Sequence, residues 1–343
     1  MNLTLALVVI TALLLSAAIT RWLIVRAAAG WGAFDQPNAR SLHRTPIPRT
    51  GGVAVLCGGA MPLLVALLLS DDAIAPELLG LGAALALVAA ISLLDDVRQV
   101  SPLMRLLAHG GAAILLMFNG LHWSILELPE LTLPLPSIMA TGLTLCYVIW
   151  MINLYNFMDG LDGFAGGMTV SGFTALALLG GIGGDATFTL IASSIAAAAL
   201  GFLTGNFPPA RIFLGDVGAA SLGLLAAGLS LWGAQRDLFP LWTAWLAFSP
   251  FIVDATWTLL LRLLRREQLW KAHRSHHYQR LVLAGWTHRA TLLRSYALMI
   301  TTASSAVIAP QLAAPQQWLL LVMWTLIYVL LHWRVAAIER IAL

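Results

Sequence analysis

The chain has 343 residues, of which 59% are hydrophobic and 10% charged, with a net charge of +3 and a mean hydropathy of +0.85. So apolar a composition excludes a soluble globular domain; at about 20 residues per crossing it supplies many membrane spans, and the basic residues are read first as topology signals. No nucleic-acid motif is present, and Cys57 and Cys146 both lie in apolar runs, where a disulfide framework has no purpose.

In chain order, the first run, about Asn2 to Val25, lacks the charged start and short apolar core of a cleaved signal peptide and is expected to stay as a membrane helix. Arg21, Arg26, Arg40, Arg44 and Arg49 follow, which puts the N-terminus outside and the loop 26–50 in the cytoplasm. Further apolar spans read near 51–69, 78–94, 103–119, 138–156, 164–182, 187–204, 217–233, 240–261, 292–310 and 317–333, about eleven in all. The expected fold is an all-α multi-pass membrane protein, a single domain over 1–343 with a cytoplasmic C-terminus. Alternating the spans puts every Lys and Arg on the cytoplasmic side except Arg236, as the positive-inside rule requires. The outer segment 119–136, with its Trp, Leu and Pro, reads as an interfacial stretch or a small hairpin.

Polar residues collect at the inner ends of these spans. In Asn153–Gly163, NLYNFMDGLDG, the residues Asn153, Asn156, Asp159 and Gly163 recur at spacings of three and four, so a continuing helix would carry them on one face. Asp95 and Asp96 end the third span, Asn206 ends the seventh, Asp216 opens the eighth, and His273, His276 and His277 follow the ninth. Frayed helix ends would scatter such residues over both faces. Their gathering on one side predicts a shared site, because a carboxylate at the membrane edge is costly unless paired or metal-bound.

Carboxylate and amide oxygens suit a hard cation such as Mg²⁺, which takes one or two protein ligands and completes its shell with water and phosphate oxygens. Nearby arginines suit phosphate. Zinc fits poorly, since the histidines lie in a basic stretch without a cysteine partner, and neither a phosphate loop nor a G-x-S-x-G elbow occurs.

Taken in order, Asp95-Asp96, NLYNFMDGLDG, NFPPARIFLGDVGAASLG at 206–223 and HRSHHYQRL at 273–281, with PNARSLHRTPIPRTGG at 37–52, resemble the bacterial polyprenyl-phosphate N-acetylaminosugar-1-phosphate transferases. This is the family of the MraY and WecA enzymes, glycosyltransferase family 4, and within it the chain is most similar to the WbpL-like branch that initiates O-antigen, a lipopolysaccharide component. The resemblance implies transfer of a sugar-1-phosphate from a UDP-N-acetylamino sugar to undecaprenyl phosphate, with release of UMP, in the bacterial inner membrane. It implies Mg²⁺ as cofactor, with Mn²⁺ as the substitute ion, membrane lipids as surroundings, and a homodimer as an ordinary assembly.

By position, Asp216 resembles the family's metal-binding aspartate, with Asn156 as second ligand. Asp95 and Asp96 resemble its catalytic aspartate pair, one of which engages the attacking lipid phosphate. Asp159, Asp162, Asn206 and Arg44 match positions near the nucleotide, and Arg105, Arg274, His276 and His277 positions that bind phosphate. The basic loop 262–291 is the expected sugar-recognition element. Branch resemblance favours a 6-deoxy-N-acetylamino sugar over N-acetylglucosamine, and whether the transfer is direct or passes through a covalent intermediate stays open.

Two departures stand out: Arg274 replaces the first histidine of the usual His-x-His-His pattern, and Ala219 stands where a serine is common. Asp254, about two turns inside the ninth span, reads as a packing residue bonded to Ser, Thr or backbone, and His109 and His332 read as packing or interface residues. A secondary transporter is the rival class. Against it, the carboxylates gather at one face and not at the midplane, and no paired broken helices recur in two related halves.

Overall fold

A computed structural model of the protein describes residues 3–36, 45–70, 75–98, 100–268 and 273–342. Lipid offers the backbone no hydrogen-bond partner, so an apolar run of this length satisfies its own N–H and C=O groups by coiling into a helix. The chain does so as α1 (Leu3–Ala28), α2 (Gly51–Leu68), α3 (Pro76–Arg98), α4 (Pro102–Phe118), α5 (Ser137–Met158), α6 (Phe164–Ile182), α7 (Ala186–Asn206) and α8 (Gly215–Gln235). There follow α9 (Leu241–Ala247), α10 (Ser249–Leu264), the short α11 (His277–Leu283), α12 (His288–Ile308) and α13 (Ala314–Ala342).

Among the described residues nine of these helices are long and apolar enough to cross a membrane, and α9 with α10, an apolar pair bent by 83° at its break, makes up to ten if the pair is one span. The bend falls at Phe248, where Pro250 in the first turn of α10 cannot continue the preceding helix. α4 is apolar over 17 residues, about 25 Å at 1.5 Å per residue, slightly under the thickness of a hydrocarbon core. The protein is thus an all-α multi-pass membrane protein, with only two small sheets among the described residues. One is the hairpin of β3 (Ile125–Leu128) and β4 (Leu131–Pro134), inside the segment expected to be interfacial or a hairpin. The other, which no sequence signal announced, pairs β1 (Phe34–Asp35) with β2 (Ile47–Pro48).

The centre of the bundle is α8, buried from Val217 through Gly233. Its small residues let other backbones come close, which is how helices associate where lipid removes the hydrophobic drive. Gly223 packs against Met151 and Ile152 of α5, and Gly218 packs against Gly52 of α2 so closely that neither position has room for a side chain. The amides of Gly51 and Gly52 complete the contact by donating to the carbonyls of Phe213 (2.9 Å) and Leu214 (2.7 Å). That clamp holds the start of α2, and Arg49 just before it, against the start of α8.

Contacts between loops sort the helix ends into two groups. At one end Asp95 pairs with Arg105, Gly163 bonds to Asn206, and Asp162 accepts from Ala210. At the other, Gln235 donates to the Gly120 carbonyl and Arg236 pairs with Asp185 at 3.4 Å. Arg236, the lone basic residue at its end, is therefore charge-compensated. The polar residues singled out from the sequence, so far as they are among the described residues, belong to the first end.

Candidate active site

The site is built where α3, α4, α5 and α8 end or begin. α3 closes with Asp95 and Asp96, both almost wholly buried. Asp95 Oδ1 accepts from the Val100 amide (2.6 Å) and Oδ2 pairs with Arg105 Nη1 (2.9 Å), so the turn into α4 is tied to this carboxylate. Asp96 faces Arg49, whose Nε lies 3.3 Å from Oδ1 and whose Nη2 donates to the Asp96 carbonyl at 2.7 Å. Although buried, that Oδ1 receives no hydrogen bond.

Asp216, in the first turn of α8, reaches Asp95 within hydrogen-bonding range and also feels Arg49 and Arg105. Asp96 interacts electrostatically with Asp216 and lies against the Val217 amide. Asp159, just past the end of α5, lies against the Gly215 amide and interacts with Asp216, Asp35 and Asp96. Burial, then the facing Asp216, push the Asp159 carboxyl well above the usual carboxylate range. The N-terminus of α8 is the common point: its free amides and the positive end of its dipole favour the negative charge gathered there. Gly215 itself has φ +75° and sits against the Arg49 carbonyl, so only glycine allows the approach.

Asn156 lies one turn down α5 from this cluster, by the register that sets Asp159 beside Gly215 and Met151 beside Gly223. Its Oδ1 is buried without a hydrogen-bond partner, an orphaned oxygen of the kind a cation satisfies. No group of three His, Cys, Asp or Glu closes to metal-binding spacing among the described residues. An Asp, an amide oxygen and open positions match a Mg²⁺ that shares its shell with phosphate oxygens and water.

Other residues from the sequence reading take different places. Asn206 is buried with both amide groups committed, Oδ1 to the Gly163 amide (3.0 Å) and Nδ2 to the Ile212 carbonyl (2.8 Å). Asp162 accepts from the Ala210 amide at 3.1 Å and lies 3.7 Å from His288 Nδ1. Both hold the 207–214 segment to the start of α6. Asn153 donates to the Ile149 carbonyl and contacts His109, whose packing role was expected. Arg44 lies outside the described residues.

Asp35 and Arg49 belong to the cluster, and the sequence reading did not single them out for it. In the sequence Asp35 stands just before the 37–52 motif and Arg49 inside it, read only as a topology signal, and the β1–β2 pairing is what brings them back to the site.

The histidines form a second centre around Asp254. Its carboxylate accepts from the His277 amide (3.0 and 3.1 Å) and from the Thr258 hydroxyl (3.2 Å), the backbone and Thr partners expected of a packing residue. It also meets His277 Nδ1 at 3.0 Å and His276 Nδ1 at 3.4 Å, while His277 Nε2 contacts His332. His276 is buried, caps α11 and stacks on Phe157 of α5 and on Tyr278. Tyr278 donates to the Phe157 carbonyl (3.1 Å) and interacts with both Asp159 and Asp254, so one tyrosine layer separates the two centres. Arg274 lines a separate pocket with residues of α10, α11 and α13.

Asp254→Asn is expected to keep one acceptor but lose the anion that holds both histidines, lowering stability by about 1–3 kcal/mol. Thermal unfolding in detergent checks this; an unchanged midpoint with lost turnover would make Asp254 part of the chemistry instead.

The same loop carries a pH response. Burial, then His276 and Arg262, lower His273 from the usual 6.5 to about 4. The fold therefore holds it neutral, while the unfolded chain takes up a proton near pH 6.5. Its contribution to stability is complete above pH 6.5 and is lost as pH falls toward 4. His273→Gln should flatten that acid-side decline in the melting midpoint, and an unchanged slope would place the decline elsewhere.

Residues 78–234, the stretch from α3 through α8, match the family described as Glycosyl transferase family 4. A "Probable undecaprenyl-phosphate N-acetylglucosaminyl 1-phosphate transferase" of Bacillus subtilis (strain 168) is 31% identical over 298 residues, covering 86% of this chain and 82% of the relative. The chain belongs to this transferase family. A decaprenyl-phosphate N-acetylglucosaminephosphotransferase of Mycolicibacterium smegmatis is 33% identical over 322 residues, 85% of this chain and 79% of the relative. An undecaprenyl-phosphate alpha-N-acetylglucosaminyl 1-phosphate transferase of Escherichia coli O157:H7 is 26% identical over 311 residues, 87% and 82% of the two chains. Family membership covers the span that holds Asp95, Asp96, Asn156, Asp159 and Asp216. The Asp254 and histidine centre lies beyond the matched segment but within the length aligned to the whole-chain relatives.

Proposed function

We propose that this protein transfers an N-acetylamino sugar 1-phosphate from a UDP-sugar to undecaprenyl or a similar polyprenyl phosphate, releasing UMP and starting a lipid-linked glycan. The observation that carries the reading is the convergence of Asp95, Asp96, Asp159 and Asp216 with Arg49 and Arg105 at the N-terminus of α8. Phosphoryl transfer is mainly positioning and charge neutralisation, and this set supplies both. The names of the relatives support the reaction class, and the one-sided gathering of basic residues supports an orientation with this end in the cytoplasm and the N-terminus outside.

Asp216 and Asn156 would hold Mg²⁺. When bound, the ion neutralises pyrophosphate charge and favours departure of UMP. Arg49 and Arg105, now compensated by Asp96 and Asp95, are placed to exchange a carboxylate for a phosphate oxygen as substrates enter. The acceptor needs little activation, because a phosphate monoester has its second pKa near ~6 and is largely dianionic at neutral pH. One aspartate of the pair then holds that phosphate in line and accepts the residual proton. The uridine end is assigned to Asp159 and its surroundings. Recognition of the sugar falls to the 262–291 segment, whose His276 and His277 are fixed by Asp254 beside Phe157; the proposed sugar is a 6-deoxy-N-acetylamino sugar for O-antigen, with N-acetylglucosamine the comparison substrate.

The test is UMP release in detergent from a panel of UDP-sugars, with polyprenyl phosphate and Mg²⁺ each omitted in turn. Release that depends on both supports the reading. No release from any UDP-sugar under complete conditions overturns it.

A further inference from the structure

A second polar cavity, about 130 Å³, opens between α10, the 273–276 segment, α11 and α13. Its walls include Arg262, Arg265, Arg274, Arg280, Trp257 and Glu339, and it shares no lining residue with the carboxylate cluster. Two of the four guanidinium groups are compensated. Arg262 Nε pairs with Glu267 at 2.9 Å, and Arg280 binds Glu339 through Nε and Nη2. Arg265 and Arg274 have no acidic partner among the described residues, and the neighbouring His273 is held neutral. Among the described residues the guanidinium groups of the cavity thus exceed their acidic partners by two positive charges.

That excess is confined in a small space. Residues from the C-terminal parts of α10 and α13 both line the cavity, and Leu263 and Leu264 beside it are exposed apolar side chains, so the cavity stands next to an apolar surface. The C-terminal end of α10 offers carbonyls and no free amides here, so the guanidinium groups and not a helix dipole supply the attraction. Guanidinium forks bind phosphate oxygens in pairs, which an ammonium cannot do. A volume of about 130 Å³ lies well below the ~300 Å³ at which pockets begin to hold drug-sized ligands, so a sugar nucleotide does not fit but a single oxyanion does.

We propose that this arginine pocket binds one phosphate oxyanion, either the headgroup phosphate of an anionic phospholipid or free phosphate, at a site separate from the transfer centre. Binding there would fasten the otherwise lightly held α13 to α10 and α11 through a charge that neutralises Arg265 and Arg274. The inference does not rest on the transfer reaction, and its readout is binding and stability, so its failure would leave the transferase reading untouched.

The experiment uses the full chain in lipid nanodiscs, with the melting midpoint as readout. One arm titrates inorganic phosphate into phosphatidylcholine discs; the other compares phosphatidylcholine discs with discs containing phosphatidylglycerol. Arg265→Gln is the test variant, since Arg265 is exposed and unpaired and its loss leaves folding contacts in place. Arg289→Gln, exposed and outside the pocket, controls for net charge. Stabilisation of the wild type and of Arg289→Gln, with about tenfold weaker dependence on the probe in Arg265→Gln, supports the site. Stabilisation by inorganic phosphate identifies the free anion, and stabilisation only by phosphatidylglycerol identifies a headgroup. Absence of both, or equal weakening in the two variants, overturns the proposal and leaves only diffuse surface attraction.

Discussion

Asp216→Asn is expected to lower UMP release by at least about 100-fold while the protein still folds. Asp216 stands in the first turn of α8 with Asp95, Asp96 and Asp159 around it, so the site gathers negative charge that only a cation or the arginines can offset. An amide at this position removes one charge from a repulsive cluster. Folding stability should therefore hold or rise, while the affinity for a divalent ion falls. The check is turnover against Mg²⁺ concentration beside a melting curve for each protein. Near-normal turnover at ordinary Mg²⁺ would remove Asp216 from the metal role, and a collapsed melting midpoint would show that the residue is structural.

Asp95→Asn and Asp96→Asn should both be severely impaired, but in different ways. Adjacent residues on a helix point about 100° apart, so only one can face the acceptor phosphate squarely. Asp95 has both oxygens engaged, by the Val100 amide and by Arg105, and its loss should loosen the turn from α3 into α4. A lowered melting midpoint should accompany its lost activity. Asp96 Oδ1 has no hydrogen bond, and its nearest charged partner, Arg49 Nε, stands 3.3 Å away. That oxygen is the one open to a new partner, so Asp96→Asn should depress kcat more than it depresses stability. Steady-state kinetics with polyprenyl phosphate as the varied substrate, set beside thermal melts, separates the two. Equal and mild losses in both variants would argue against either residue acting on the acceptor.

Composition and span periodicity were sufficient for the class of fold. A bilayer forces any long apolar run to be a helix, so ten of the eleven spans read from the sequence correspond to single helices whose ends fall within a few residues of expectation, apart from the longer last helix. The ninth is the exception. Pro250 was visible in the chain, but a proline marks a break and not its angle, and the 83° turn is set by how α9 and α10 pack on their neighbours. The polar ends of the spans were legible for the same reason as the spans themselves, since a carboxylate at the edge of lipid stands out against an apolar background.

Which of those polar groups meet was decided only by tertiary structure. Asp162 and Asn206 looked like members of one constellation with Asp159 and Asp216, yet their side chains bond to backbone of the 207–214 segment and of Gly163. Asp35 and Arg49 looked like loop residues, and a two-residue strand pair carries them into the cluster. Asp254 read as a packing residue, and the fold makes it the anchor of His276 and His277, more than 20 positions away. Spacing in a sequence orders residues along one helix, whereas backbone contacts such as Gly52 on Gly218 set how helices slide against each other. That sliding determines which carboxylates share charge at the start of α8 and which are consumed in holding it there.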